Sequence, residues 1–368
     1  MRRLLVVLSI MAVTVLFALP AAPSSAGTGG HAAITITSNT GFSTCGCVTS
    51  GSGTAANPYV IGPWAVAAPS GGASGWSVKI DNSRGLITDY FNIFGISSTY
   101  NDTNTTDPTI WLVDVHTATA ISGSSANPTG GNDLGIGVEL DSSSNISIDG
   151  VSYNKGNGTG IYLNGSSDVS ISNAKLKATC VLCAPHTGDG IYAVNSSNLQ
   201  IGTAADCPNT NPCNDVTYDD GFGIWLMNTH DAVINQADAD ANDTGGYVLD
   251  GSNTYNVTLE NSGSRATGNI CISYNGQRVD TGYYTDLQGG LHIINGAHNN
   301  TIANDDFTGN TNGVSIGSGG NGFYYNACSG LNQPFSPVET PMGTGNTFSK
   351  ICYSTTNISG LPPSTCKL

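Results

Sequence analysis

Basic residues are scarce in this chain. Only 11 Lys and Arg stand against 26 Asp and Glu, giving a formal charge of -15. A surface of that sign repels phosphate, which argues against nucleic acid and anionic membranes as partners. Charge of either sign is scarce too: it makes up 10% of 368 residues, too little to solvate the outer faces of an ordinary helical domain. Also missing are a nucleotide-binding glycine loop, a Ser-His-Asp elbow and a zinc-protease helix, so those chemistries find no support. Long apolar runs are limited to Leu4 to Leu19, which follows Met1-Arg2-Arg3 and precedes the small residues up to Ala26. That order is a secretory leader, so residues 1–26 read as a signal peptide. Retained, the run would be a short single-span anchor. Either way the rest of the chain is expected outside the cytoplasm, secreted or at the cell surface, with no membrane insertion once the leader is removed.

The chain is rich in glycine, with 48, and holds ten cysteines: Cys45, Cys47, Cys180, Cys183, Cys207, Cys213, Cys271, Cys328, Cys352 and Cys366. Outside the cell these most often form disulfides. Cys180, Cys183 and His186 have a C-x2-C-x2-H spacing that also suits zinc, although an oxidising compartment favours disulfides over a thiolate site.

The strongest signal is a repeat. Glycine, apolar, any residue, apolar recurs at Gly137-Val138-Glu139-Leu140, Gly160-Ile161-Tyr162-Leu163, Gly190-Ile191-Tyr192-Ala193, Gly223-Ile224-Trp225-Leu226, Gly246-Tyr247-Val248-Leu249, Gly290-Leu291-His292-Ile293 and Gly313-Val314-Ser315-Ile316. Asn269-Ile270-Cys271-Ile272 fits between the fifth and sixth, and the commonest spacing is then 23 residues. A second short alternating strand follows in most units, as at Ile146-Ser147-Ile148. Period-2 bursts of three to five residues without helical period mean short strands, and one coil per repeat is the unit of a β-solenoid. Asn145, Asp168, Asn198, Asp231 and Asn321 stand at one turn position and are expected to stack as a ladder.

On these repeats the chain resembles the right-handed parallel β-helix proteins of the pectate-lyase-like superfamily, and Gly51 to Trp64 resembles the lead-in of secreted members. The fold expected is all-β, a single-stranded right-handed parallel β-helix of about 23 residues per coil with terminal caps. Residues 27–74 are expected as lead-in and cap, 75–331 as the helix with Val78, Ile80, Ile110, Leu112 and Val113 in its core, and the proline-rich 332–368 as a C-terminal cap.

In each repeat the two apolar residues face inward, so the third faces outward and aligns with its equivalents. That row reads Glu139, Tyr162, Tyr192, Trp225, Val248, Cys271, His292, Ser315. Flat rings at regular spacing suit the apolar faces of sugars, so Glu139, Tyr162, Tyr192, Trp225 and His292 are candidate substrate-binding residues. Cross-strand packing is the plain alternative for the aromatics. Beside the row the acids concentrate. Asp189, Asp219 and Asp220, with His186 assisting, form a candidate catalytic set, because glycoside cleavage needs one carboxyl as acid and another as base or nucleophile. Asp219, Asp220 and Asp243 offer the hard oxygens that Ca²⁺ takes, and turn chemistry alone also accounts for aspartates before strands.

Within the resembled superfamily, the polygalacturonase pattern lacks its Gly-His-Gly and Arg-x-Lys here, and the epimerase Asp-Pro-His survives only as Ala184-Pro185-His186. The resemblance therefore implies a fold without a transferable catalytic set; the aromatic row and the acids beside it are what point to an extracellular polysaccharide as partner, and the chain is expected to be a monomer. Two functions stay open: a lyase- or glycosidase-like enzyme, or a non-catalytic surface protein that binds glycan.

Overall fold

The computed structural model describes residues 29–67, 75–99, 108–126, 135–155, 158–178, 188–202, 214–216, 222–239, 245–260, 262, 289–303, 306–307, 314–316, 346–349 and 352–353. They form a parallel β-solenoid with three long sheets of 8, 11 and 10 strands. Successive coils add one strand to each sheet, so Val138–Asp141 pairs in parallel with Ile161–Asn164, which pairs with Ile191–Val194. Within each of these strands burial alternates, with Val138, Leu140, Ile161, Leu163, Ile191 and Ala193 fully enclosed. Removing each of the large aliphatic side chains from water stabilises the rod by about 1.5–3 kcal/mol.

The glycines that precede the first two of these strands have a steric cause. A Cβ at Gly137 would lie 2.4 Å from the Gly160 carbonyl oxygen, and one at Gly160 would lie 2.5 Å from that of Gly190. The neighbouring coil occupies the space.

The corners are turned by left-handed residues. One corner uses Asp114, Ser142, Asn195, Asn228 and Asn295, with φ between 49° and 54°. Another uses Asn145, Asp168, Asn198, Asp231, Asn256 and Asn299, with φ between 52° and 60°. Asn and Asp tolerate this region because their short polar side chains bond locally. The expected ladder runs along the second corner: Asn198 Nδ2 donates to Asp168 Oδ1 at 3.2 Å, and Asn256 Nδ2 to Asp231 Oδ1 at 3.0 Å. Asn321 lies outside the described residues.

A second ladder is buried and was not foreseen. The amides of Ser143, Ser166, Ser196 and Thr229 donate to the hydroxyls of Ser166, Ser196, Thr229 and Thr254 in the next coil, at 3.1, 3.1, 3.3 and 3.2 Å. Each hydroxyl thus satisfies an inward-pointing N–H that no sheet bond reaches.

The structure departs from the reading of the sequence at several points. The ladder begins before residue 75, since Ile34–Ile36 pairs with Val78–Asp81 and Trp64–Ala67 with Ile96–Thr99. What stands as a cap is the helix Asn39–Thr44, whose buried Phe42 packs on Tyr59 and Phe91, together with Val48–Ser50, which closes one sheet edge by pairing antiparallel to Tyr59–Ile61. Cys45 and Cys47 form a disulfide there. Val113 faces outward, half-buried, because it alternates with the enclosed Leu112. Gly245–Asp250 pairs directly with Gly289–Ile294, and Asn269-Ile270-Cys271-Ile272 lies outside the described residues. In the C-terminal segment Thr347–Ser349 adds a strand to the 11-stranded sheet and Cys352–Tyr353 pairs with Asp306–Phe307 in a two-stranded sheet, while the rest of residues 332–368, apart from Asn346, lies outside the described residues. The leader and the other eight cysteines, apart from the backbone of Cys352, lie outside the described residues. Among the described residues no helix is long and apolar enough to cross a membrane.

Candidate functional site

The outward row of the ten-stranded sheet is fixed by register: Thr35, Lys79, Trp111, Glu139, Tyr162, Tyr192, Trp225, Val248 and His292. Val248 and His292 are direct partners, and Cys271 lies outside the described residues. Glu139, Tyr162, Tyr192 and Trp225 are half-buried and reach solvent, whereas Val248 and His292 are both fully enclosed. His292, expected to touch substrate, therefore does not stand on the open face.

The rings are arranged differently from the expected platform. Tyr162 and Tyr192 stack with centroids 5.4 Å apart and planes 28° from parallel, and Tyr192 and Trp225 lie 4.9 Å apart at 32°. Their faces are turned to one another. Solvent meets ring edges, which carry the positive side of the aromatic quadrupole.

Two residues further along each strand a second outward row runs beside the first, holding Asp81, Val113, Asp141, Asn164, Val194, Met227, Asp250 and Ile294. Asp141 accepts the Trp111 indole N–H at Oδ2, 2.8 Å, and the Asn164 amide at Oδ1, 3.0 Å. Asp250 stands at the equivalent position further along, and its Oδ1 accepts Asn295 Nδ2 at 2.6 Å. Burial pushes the Asp250 carboxyl above the usual carboxylate range, against the Asn295 donor. Burial, then the negative charges of Asp141 and Glu139, likewise raise the Tyr162 hydroxyl above the ordinary tyrosine value. The Tyr192 hydroxyl donates to Met227 Sδ at 3.2 Å.

Lys79 is the row residue that pattern reading missed. Its register partner is Trp111. Its Nζ sits 3.7 Å from the Trp111 ring centroid, 5.1 Å from that of Trp76 and 3.5 Å from Asp81 Oδ2. The irregular stretch before residue 130 hid the signal, since its coils lack the glycine that marks the later ones.

Of the expected catalytic set, Asp189 is buried and its Oδ1 accepts the Phe222 backbone N–H at 2.9 Å, so its carboxylate secures the junction between two coils. His186, Asp219, Asp220 and Asp243, and with them the expected Ca²⁺ ligands, lie outside the described residues. Among the described residues no three His, Cys, Asp or Glu side chains converge to hold a metal ion. His230 lies on a different corner, where Nδ1 bonds Asp231 Oδ2 at 2.8 Å and the ring stacks on Tyr255 at 4.7 Å. The Asn256 amide, then His230, hold the Asp231 carboxyl below its ordinary value.

A family model described as the right-handed beta helix region matches residues 136–329. The chain belongs to the right-handed β-helix family. Solved structures with a similar fold include an alginate lyase from Paenibacillus sp. str. FPU-7, 12% identical with a TM-score of 0.44 over 89% of this chain and 99% of that one. Another is the enzymatically active domain of tailspike protein 2 of bacteriophage CBA120, 11% identical with a TM-score of 0.34 over 78% and 43%. The A-module of the mannuronan C-5 epimerase AlgE6 of Azotobacter vinelandii is 13% identical, TM-score 0.26, over 81% and 77%. No curated protein matches the chain. At such identities the likeness is one of β-helix architecture, and function has to be argued from the face itself.

Proposed function

We propose that this β-helix protein is exported by its leader and binds an extracellular polysaccharide along the face that carries Glu139, Tyr162, Tyr192 and Trp225. The observation that supports the reading is the half-exposed run itself, where polar groups and ring edges line up at coil spacing. Glu139 and Asp141 offer carboxylate acceptors for sugar hydroxyls, and the raised Tyr162 hydroxyl stays a donor at all physiological pH. The positive ring edges accept sugar oxygens at van der Waals contact. Cleavage is the further step of the same reading. Asp219 and Asp220, with His186 assisting and Ca²⁺ held by Asp219, Asp220 and Asp243, are the groups proposed for it.

A structural role is favoured by one observation, the way the rings cover one another's faces, which is how cross-strand pairs stabilise a sheet. The two readings separate in one experiment. The mature protein is run through gels holding xylan, mannan, soluble cellulose, alginate or polygalacturonate, with and without Ca²⁺, and the digests are read for reducing ends and for unsaturated uronate absorbance. Retention that falls in Glu139→Gln and Trp225→Ala, with folding intact, supports binding. Products lost in Asp219→Ala/Asp220→Ala add catalysis. No retention on any glycan, with Trp225→Ala lowering only stability, leaves the structural role.

A further inference from the structure

The open face has two bracketed ends. At the first, the Trp111 indole N–H meets Asp141 at 2.8 Å and Asp141 takes the Asn164 amide at 3.0 Å, so this indole is held in place across three coils. At the second, the Phe222 ring meets the Trp225 ring edge-on at 5.0 Å, and in the coil after Trp225 the Asp250 carboxyl takes the Asn295 amide at 2.6 Å. Beyond each bracket the row is filled by the protein. Lys79 Nζ covers the Trp111 ring at 3.7 Å, with the Trp76 ring 5.9 Å away, and past Trp225 stand the fully enclosed Val248 and His292.

The open stretch is therefore bounded. It runs from Trp111 through Glu139, Tyr162 and Tyr192 to Trp225, which is four strand spacings, or about 19 Å. One strand spacing is close to the rise of a pyranose residue in an extended glycan. The charges along the stretch are also of one sign. Between the brackets neither outward row holds a Lys or Arg, and Glu139, Asp141 and Asp250 supply carboxyls. The Lys79 ammonium is matched to Asp81 at 3.5 Å and lies against Trp111, leaving no surplus positive charge for a uronate or sulfate.

Resting on the polysaccharide reading above, we infer that this face is a closed-ended site for an uncharged glycan segment of about four pyranose residues, one per strand spacing. It is not an open track along which a polymer of any length gains contacts. Glu139 and Asp141 receive hydroxyl protons at the end near Trp111, and the edges of Tyr192 and Trp225 line the other.

The test is a length series by titration calorimetry. Xylo-, cello- and manno-oligosaccharides of two to eight units, and mannuronate and galacturonate oligomers of matched length, are titrated into the mature protein, alongside the polymer gels described above. Affinity is expected to tighten about tenfold or more from two units to four and to change less than about twofold from four to eight, with matched uronates about tenfold weaker. Affinity that keeps climbing beyond six units, or a uronate that binds more tightly than its neutral counterpart, overturns the inference while leaving glycan binding intact. If neither polymer nor oligomer binds, both fall. Trp76→Ala should open the end at Trp111 and move the plateau to longer oligomers; an unmoved plateau in the folded variant refutes that boundary. Should Trp76→Ala fail to fold, the length series on the natural chain decides.

Discussion

Ser166 is the sharpest probe of how the rod is held together. It is 1% exposed, its Oγ accepts the Ser143 amide at 3.1 Å, and it donates to the Leu140 carbonyl at 3.0 Å. Ser166→Ala removes few atoms, so the cavity contribution is small, but the Ser143 N–H is left in the interior without an acceptor. An orphaned buried donor costs about 1–3 kcal/mol. The matching control is Ser167→Ala, one position along. The Ser167 hydroxyl bonds the exposed Asp168 carboxylate at 3.1 Å, where water replaces it, and the cost expected is under about 0.5 kcal/mol. A solenoid need not unfold in one step, so the assay is local: native-state hydrogen exchange at the Ser143 amide, backed by urea unfolding. A loss of about 2 kcal/mol should speed that exchange on the order of thirtyfold in Ser166→Ala and leave it nearly unchanged in Ser167→Ala. Equal effects in the two variants, or a global loss without faster exchange at Ser143, would refute the idea that the hydroxyl column carries inward-pointing amides.

Two titrating groups give opposite pH signatures. The Asp250 carboxyl is raised in the fold, so its contribution to stability is complete below the ordinary carboxylate range and is lost as pH rises through its elevated value. Asp250→Asn should accordingly flatten the melting temperature measured from about pH 4 upward and gain on the natural chain as pH increases; a parallel pair of curves would count against burial as the cause. Asp231 is depressed, so what it contributes is present above the ordinary carboxylate value and disappears as pH falls through its lowered one. Asn256→Ala removes the larger of the two bonds that lower it, and carboxyl NMR titration should then show Asp231 moving back up, whereas an unchanged titration would assign the shift to His230 instead.

The regular part of the solenoid was legible because every physical requirement there leaves a residue type behind. The carbonyl of Gly160 leaves no room for a Cβ at Gly137, the enclosed strand positions demand Val, Ile or Leu, and the left-handed corners select Asn, Asp or Gly. Where those requirements relax, legibility fails. The coils before residue 130 turn without the marker glycine, which is why Lys79 and Trp111 were not placed in the row that they begin. The Ser143, Ser166, Ser196 column was hidden by its plainness: serine between strands reads as a turn, and only the enclosure of its hydroxyls reveals the ladder.

The orientation of the aromatic rings follows from a quantity available from the outset. Neighbouring strands stand about 4.8 Å apart, within the range of centroid distances at which rings stack offset, so aromatic residues placed in register on successive coils lie face to face. Tyr162, Tyr192 and Trp225 do so at 5.4 and 4.9 Å, and His230 and Tyr255 do so on another corner at 4.7 Å. An unbroken aromatic column on a β-solenoid is thus self-satisfying along its length and offers a ligand mainly edges. Selectivity has to come from what interrupts the column and what stands beside it. Here those are Glu139 where the rings begin, and the Asp141 carboxylate alongside, which holds Asn164 and ties down Trp111. Binding energy should therefore be concentrated at Glu139 and Tyr162, where a carboxylate and a phenol meet solvent together. The central Tyr192, whose hydroxyl is engaged with Met227 and whose ring lies between two others, should matter more to the stability of the sheet than to the glycan.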